Sequence, residues 1–107
     1  MTNESDEYTV KLLISYDPLP DRREGYLHYV RGEFVPALEQ LGLVMCDAWY
    51  TAYGSHPLRL SGFLASDRDT LEKVLDSEAF LALERRLLEF VSNYKRKIVP
   101  HRGTFQY

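Results

Sequence analysis

The first patterned segment of the chain alternates apolar and polar residues. Over residues 8–16, Leu12, Ile14 and Tyr16 occupy every second position, which is the spacing of side chains along one face of a β-strand. The segment DPLPD follows, and proline has no backbone N–H with which to extend a ladder of hydrogen bonds. The pattern predicts a first strand over 8–16 that the prolines end.

Residues 22–41 change to helical spacing. Pro36 lies inside this segment and removes the hydrogen bond to the carbonyl of Gly32, so we expect a kink or a short break there. Gly42 is suited to end the helix. The predicted apolar stripe recurs at three and four residues and consists of Leu27, Val30, Phe34, Leu38 and Leu41.

Two further alternating segments flank the turn sequence GSHP and predict a β-hairpin. In the first, 43–53, the residues expected under the helices are Val44, Cys46, Ala48, Tyr50 and Ala52, and the opposite set is Met45, Asp47, Trp49, Thr51 and Tyr53. In the second, Leu58, Leu60, Gly62 and Leu64 alternate with Arg59, Ser61 and Phe63.

The last third of the chain predicts a divided helix followed by a strand. Ser66 and Asp69 resemble a capping box for a helix over 68–75, and Ser77 is placed to cap a second helix over 78–91. A final strand over 94–99 ends at Pro100.

The order β-α-β-β-α-β specifies an α+β, ferredoxin-like fold. Two crossovers laid together give a four-stranded antiparallel sheet with both helices on one face, so the other face is uncovered. Its predicted members include Leu13, Met45, Trp49, Tyr53 and Phe63, which is too much apolar area for a monomer to expose. We therefore expect a homodimer, with a disordered tail at 1–7, a single domain over 8–100 and a C-terminal tail at 101–107 that contacts the partner.

Composition limits the environment and the partners. A net charge of −3 on 107 residues does not supply the dense basic surface that nucleic acids require. The single cysteine, Cys46, cannot form an internal disulfide, which favours a reducing compartment. The acidic start MTNESDE is unlike a signal peptide, and no apolar run approaches the length of a membrane span. We expect a cytoplasmic protein without a nucleic-acid or membrane partner.

Over about residues 8–100 the chain resembles the dimeric α/β-barrel superfamily. The resemblance rests on the element order, on FVPALEQLGL before the second strand, and on DSEAFLALERRLLEFVSNYKRKI as a divided second helix that leads into the last strand. The superfamily includes antibiotic-biosynthesis-type monooxygenases, haem-degrading enzymes, the NIPSNAP-like group and stress-responsive barrels. It implies two sheets face to face in a homodimer, with a pocket between each sheet and its helices or inside the barrel.

The resemblance also bears on cofactors. Haem-degrading members bind iron through a histidine of the second helix, and residues 67–91 contain no histidine. The three histidines of the chain fall on three different predicted elements, which is not a metal-ligand spacing. We expect neither a cofactor nor a metal.

Aromatic and charged residues provide the candidate binding site. Trp49 and Tyr53 could form an aromatic wall with Asp47 beside them; the plainer interpretation is interface packing, with Asp47 paired to Arg59 or Lys97. The predicted ligand-binding set is Tyr16, Asp47, Trp49, Tyr53, Arg59 and Phe63.

His28 is the candidate catalytic residue, because an imidazole next to Arg31 on the first helix could act as a base; the plainer interpretation is a solvated helix face. Two functions remain open from the sequence. One is the binding of a small apolar or aromatic metabolite. The other, which the resemblance suggests, is a cofactor-independent monooxygenase that acts on a phenolic or quinol-like substrate.

Overall fold

A computed structural model describes residues 8–53 and 56–101, and their side chains except at 47–58. The strands are β1 (Val10–Pro18), β2 (Val44–Tyr53), β3 (His56–Ala65) and β4 (Val91–Pro100). Within the described residues they form one four-stranded antiparallel sheet in the order β2-β3-β1-β4. The predicted N-terminal tail at 1–7 lies outside the described residues, as do residues 102–107 of the predicted C-terminal tail at 101–107 and Gly54 and Ser55 of the turn.

The helices pack on one face of this sheet. They are α1 (Arg23–Tyr29), α2 (Val35–Gln40), α3 (Arg68–Leu75) and α4 (Glu78–Leu87), with a 3₁₀ turn at Pro20–Arg22 and a π-helical turn at Val30–Phe34. The ferredoxin-like arrangement predicted from the element order is confirmed. None of the helices in the described part of the chain is long and apolar enough to cross a bilayer.

The first strand follows its predicted alternation. Leu12, Ile14 and Tyr16 are buried under the helices, and β1 is the central strand that pairs with both β3 and β4. It continues to Pro18 instead of ending before it, because Pro18 is the last residue of the strand and its missing N–H interrupts no further pairing.

The π-helical turn corrects the predicted stripe of the first helix. The break expected near Gly32 and Pro36 occurs at Val30–Phe34, where the N–H of Val35 donates a hydrogen bond to the carbonyl of Val30, five residues back. The π-helical turn contains one residue more than a regular α-helical turn. It therefore rotates the preceding helix, α1, about its axis relative to a regular helix. The fully buried face is therefore Tyr26, Tyr29, Phe34 and Leu38, whereas Leu27 and Val30 are only partly buried.

A β-bulge corrects the predicted faces of β2. Met45 pairs with Phe63 and Asp47 with Gly62, so Cys46 is an extra residue in β2. Met45 consequently packs against the core, and Cys46, expected under the helices, is exposed. Phe63 is 1% exposed in the core, so its assignment to the uncovered face was wrong; it lies opposite buried Leu12 on β1.

The second helical region differs from prediction mainly at its ends. The N-cap of α3 is Asp67, which accepts a hydrogen bond from the Thr70 N–H over 2.7 Å, and not Ser66. Ser77 caps α4 as predicted, accepting from the Phe80 N–H over 3.2 Å. The second helix ends at Leu87, and β4 begins already at Val91.

The face of the sheet opposite the helices is apolar at its centre and basic toward β4. Strand register places Leu13, Leu60, Leu64 and Val99 there, each partly exposed, together with Val44, which is 39% exposed. Lys95 and Lys97 lie opposite Ser15 and Leu13 on the same face. The described residues of this face thus keep apolar area accessible.

Candidate ligand-binding site

Tyr16 lies near the end of β1, where the pairing with β4 is irregular. Two residues of β4, Asn93 and Tyr94, stand opposite Tyr16. Asn93 has a positive φ of 55°, and its side-chain amide donates a 2.7 Å hydrogen bond to the Asp17 carboxylate. The bulge is therefore fixed beside Tyr16, and a bulge changes the direction in which neighbouring side chains point.

Tyr26 meets Tyr16 from the helical layer. The π-helical turn brings this tyrosine of α1 to the buried face, where its hydroxyl lies 2.8 Å from the Tyr16 hydroxyl. The two rings make an edge contact with centroids 5.8 Å apart at 76°. The side chains are 2% and 3% exposed, so a polar pair is held inside an otherwise apolar layer and each hydroxyl satisfies the other.

Arg59 completes the polar group from a third element. It lies on β3 directly opposite Tyr16, and its positive charge acts on the hydroxyls of both Tyr16 and Tyr26. The structure thus brings Tyr16 and Arg59, two of the predicted ligand-binding residues, together at one end of the sheet.

A pocket of about 490 Å³ opens next to this group, between the turn after β1 and the first helix. We call it the Tyr–Arg pocket. Its wall is largely apolar, with cationic and phenolic groups at intervals, which is the composition of a small-molecule site. The lining residues are Pro18, Leu19, Pro20, Arg23, Tyr26, Leu27 and Arg59.

Burial raises the pKa of both tyrosine hydroxyls above the ordinary value of a phenol, so both remain neutral at neutral pH and above it. The pKa of Tyr16 is raised, first by burial and then by the charge of Tyr26 and the hydrogen bond to it, against a smaller opposing effect of Arg59. Burial likewise raises the pKa of Tyr26, while the hydrogen bond from Tyr16 and the charges of Arg59 and Arg31 lower it. The pair acts as neutral hydrogen-bonding groups, each able to donate or accept.

Three other predicted ligand-binding residues have only their backbone described. Asp47 is paired with Gly62, Trp49 with Leu60, and Tyr53 with His56, and their side chains lie outside the described residues. Their role as an aromatic wall stays a prediction. Phe63, the remaining member of the set, is a core residue that stacks edge-on with Phe34 at 6.5 Å between centroids.

His28 does not line the Tyr–Arg pocket. It is exposed on α1 and borders a separate open groove of about 460 Å³ with Glu24, Arg31 and Gly32. Leu27 is shared by both depressions, so His28 lies on the neighbouring surface. Its role as a catalytic base stays a prediction.

A third depression, of about 650 Å³, lies on the uncovered face of the sheet. It is lined by Leu13, Ser15, Leu60 and the basic segment Lys95, Arg96 and Lys97. Within the part of the chain that the structure describes, no three His, Cys, Asp or Glu side chains cluster as metal ligands.

Tyr26 and Arg23 were missed by the sequence reasoning. A regular helical stripe through Leu27 and Val30 places both residues off the buried face, and only the wide turn restores Tyr26 to it. A usable signal was the combination of Gly32 and Pro36, because a break in a helix shifts the face of every residue before it.

No protein-family model matches the chain, and no curated protein matches its sequence. Solved structures do match. A NIPSNAP family protein of unknown function from Agrobacterium tumefaciens is similar with a TM-score of 0.66 at 12% identity, over 94% of this chain and 93% of that protein. An uncharacterized NIPSNAP domain protein from Burkholderia xenovorans has the same TM-score at 11% identity, over 92% and 98%.

A conserved protein of unknown function from Bacteroides thetaiotaomicron, described as a possible oxidoreductase, is similar with a TM-score of 0.64 at 11% identity, over 88% of this chain and 98% of that one. At such identities the likeness concerns the fold. The predicted resemblance to NIPSNAP-like proteins is confirmed at that level.

Proposed function

We propose that the protein is a homodimer that binds a small apolar or aromatic metabolite in the Tyr–Arg pocket. The observation that carries this proposal is the pocket itself: an apolar hollow of about 490 Å³ with Tyr26, Arg23 and Arg59 in its wall. Ligand sites are typically concave and apolar, with a few polar groups that fix the orientation of the ligand.

The position of the pocket supports the same proposal. It lies between β1, β3 and α1, so its polar residues are carried by regular elements and the Tyr16–Tyr26 hydrogen bond restrains one wall. Pro18 and Pro20 stiffen the adjoining turn, because the ring of proline fixes φ. A pre-formed site of this kind binds with little loss of conformational entropy.

Homodimer formation is proposed through the uncovered face of the sheet. The described residues there include Leu13, Leu60, Leu64 and Val44, and a second copy would remove this apolar area from water. The cytoplasmic location remains a prediction from the single cysteine and the acidic N-terminus.

A cofactor-independent monooxygenase is the second candidate, favoured by the arginines that could stabilise a phenolate. Such chemistry also needs a group that removes the phenolic proton. Among the described side chains, the titratable groups that line the pocket are two guanidiniums and the Tyr26 phenol, none of which is a base at neutral pH. Binding without turnover is therefore the better-supported function.

Filling the pocket tests the binding proposal. Leu27→Trp places an indole in the pocket wall, whereas Leu88→Trp adds the same group at a position that is 46% exposed and remote from the lining. With a panel of naphthalene and indole derivatives and calorimetric titration, we expect at least tenfold weaker binding to Leu27→Trp and unchanged binding to Leu88→Trp. Equal affinities for both variants would contradict the proposal.

Oxygen consumption with a panel of phenols and quinols separates the two functions on the same samples. Ligand binding without oxygen uptake supports the binding protein. The oxygenase would be established instead if the parent protein consumed oxygen, Leu27→Trp abolished that consumption and Leu88→Trp left it intact.

The mass in solution tests the dimer. Leu60→Asp places a carboxylate on the uncovered face, and Leu88→Asp places one on an exposed position after α4. We expect light scattering to give twice the chain mass for the parent and Leu88→Asp, and a single chain for Leu60→Asp. A parent protein that stays monomeric at high concentration would contradict the dimer.

A further inference from the structure

Arg23 and Arg59, the cations of the Tyr–Arg pocket, differ in their partners from three other described arginines. Arg68, Arg86 and Arg96 each bind a carboxylate, at 2.9, 2.6 and 2.7 Å. Arg23 and Arg59 pair with no carboxylate among the described side chains, and none lines the pocket. Two positive charges therefore border an apolar hollow of a protein whose net charge is −3.

The hydrogen-bonding capacity of the wall is biased toward donors. A guanidinium has five N–H groups and accepts nothing, whereas a phenol can donate or accept. In the tyrosine pair either hydroxyl can be the donor; when Tyr16 donates to Tyr26, the Tyr26 hydroxyl keeps its own hydrogen for a further acceptor. Arg23, Arg59 and Tyr26 can then all donate to the same ligand group.

A ligand group that matches this wall accepts hydrogen bonds only and carries negative charge. A carboxylate fits, because its two oxygens accept from the fork of an arginine and charge-assisted hydrogen bonds are stronger than neutral ones. The remaining lining residues with described side chains are Pro18, Leu19, Pro20 and Leu27. They carry no polar side chain and match a ligand whose remainder is apolar.

We propose that the ligand of the Tyr–Arg pocket is an aromatic or other apolar carboxylate that Arg59 anchors, with Arg23 and the Tyr26 hydroxyl completing the contact to its carboxylate. This inference rests on the proposed binding function and names its ligand class. Arg59 is the anchor because it is partly buried beside the tyrosine pair, whereas Arg23 is exposed at the mouth.

Matched probes test the charge requirement. Calorimetric titration with 2-naphthoate and its neutral analogue 2-naphthamide should show at least tenfold tighter binding of the acid, with the preference falling as salt is raised. Arg59→Gln should weaken binding of the acid at least tenfold and binding of the amide much less, so that most of the preference is lost. Arg59→Lys should keep part of it, because a lysine retains the charge without the two-pronged donor.

Arg85→Gln is the control for loss of one positive charge, since Arg85 is exposed on α4 and outside the pocket. An equal effect of Arg85→Gln and Arg59→Gln would overturn the inference in favour of a diffuse charge effect. Thermal unfolding checks that each variant remains folded. If Arg59→Gln does not fold, the preference of Arg59→Lys for the acid over the amide tests the role of Arg59 instead.

The remaining outcomes separate the inference from the proposed function. Equal affinity for acid and amide, with both weakened by Leu27→Trp, overturns the carboxylate class and leaves the binding function standing. No binding of either probe contradicts both. Tighter binding of 2-naphthyl phosphate than of 2-naphthoate replaces the carboxylate by a phosphate ester.

Discussion

The two helical regions that cover the sheet are built differently. In the second, α3 and α4 each begin with a side-chain cap, Asp67 and Ser77, and bury leucines and Phe80. In the first, no segment has a side-chain cap hydrogen bond, a π-helical turn interrupts the helix, and two tyrosines occupy the buried face.

The contrast separates a region stabilised by local caps from the region that carries the Tyr–Arg pocket. The second region satisfies its own helix ends locally, as capped helices do. The first is held by tertiary contacts: the Tyr29 hydroxyl donates to the Leu83 carbonyl of α4 over 2.7 Å, and the Tyr29 ring stacks on Phe90 with centroids 5.7 Å apart. The irregular region is the one that carries the pocket, and π-helical turns are frequent at functional sites.

The largest effect that separates the two regions is expected from truncation of Phe80. This side chain of α4 is fully buried, so Phe80→Ala should lower the free energy of unfolding by about 3–5 kcal/mol through lost burial and a cavity. Tyr26→Phe on α1 should cost about 1 kcal/mol, because it removes one hydrogen bond to Tyr16. Urea unfolding measures both, and equal losses would contradict the division of roles.

A pair of glycine substitutions sharpens the comparison within the first region. A Cβ at Gly25 would lie 2.8 Å from Cε1 of the buried Phe90 ring, so Gly25→Ala should cost about 1–3 kcal/mol of stability through overpacking. A Cβ at Gly32 meets no atom within 4 Å, and Gly32→Ala should stabilise by about 0.5–1 kcal/mol through the unfolded state. Thermal unfolding measures whether the two substitutions change stability in opposite directions. Destabilisation by Gly32→Ala would show that the π-helical turn does not accept a Cβ at this position without strain.

The smallest expected effect concerns the cap of α3. The Thr70 N–H, and then the Thr70 side chain, lower the pKa of Asp67 from 3.8. Because the unfolded chain then binds a proton more readily than the folded one, the stabilisation is present above the ordinary pKa and is lost as the pH falls below it. Asp67→Asn retains a capping group that does not titrate, so its stability should fall less between about pH 5 and 3. If the free energy of unfolding fell with the same slope against pH in Asp67→Asn as in the parent protein, the charge of Asp67 would contribute nothing to the cap.

Much of the fold was predictable because its signals are local. The alternation of Leu12, Ile14 and Tyr16 predicted β1, and Gly32 with Pro36 predicted the break that became the π-helical turn. Ser77 was recognised as a cap because its position before an apolar helical stripe requires no tertiary information.

Two of the predictions that failed, the faces of β2 and of the first helix, share one cause, a single inserted residue. Cys46 is extra in β2, so Met45 and Cys46 exchange faces relative to a regular alternation. In the first helix the wide turn exchanges Leu27 for Tyr26 at the core. A shift of one residue moves a strand's side chains to the other face. Where a segment has apolar residues on both faces, the sequence pattern does not show whether such a shift has occurred.

By itself the sequence determined the order of the elements, the face of the central strand, the helix break and the presence of tyrosines and arginines suited to binding. Only the tertiary structure decided where bulges and wide turns fall, and thus that Tyr26 and Arg59 line one pocket while Tyr16 is hydrogen-bonded to Tyr26. The physical reason is that local backbone preference repeats along the chain, whereas the position of an inserted residue depends on how distant strands and helices pack together.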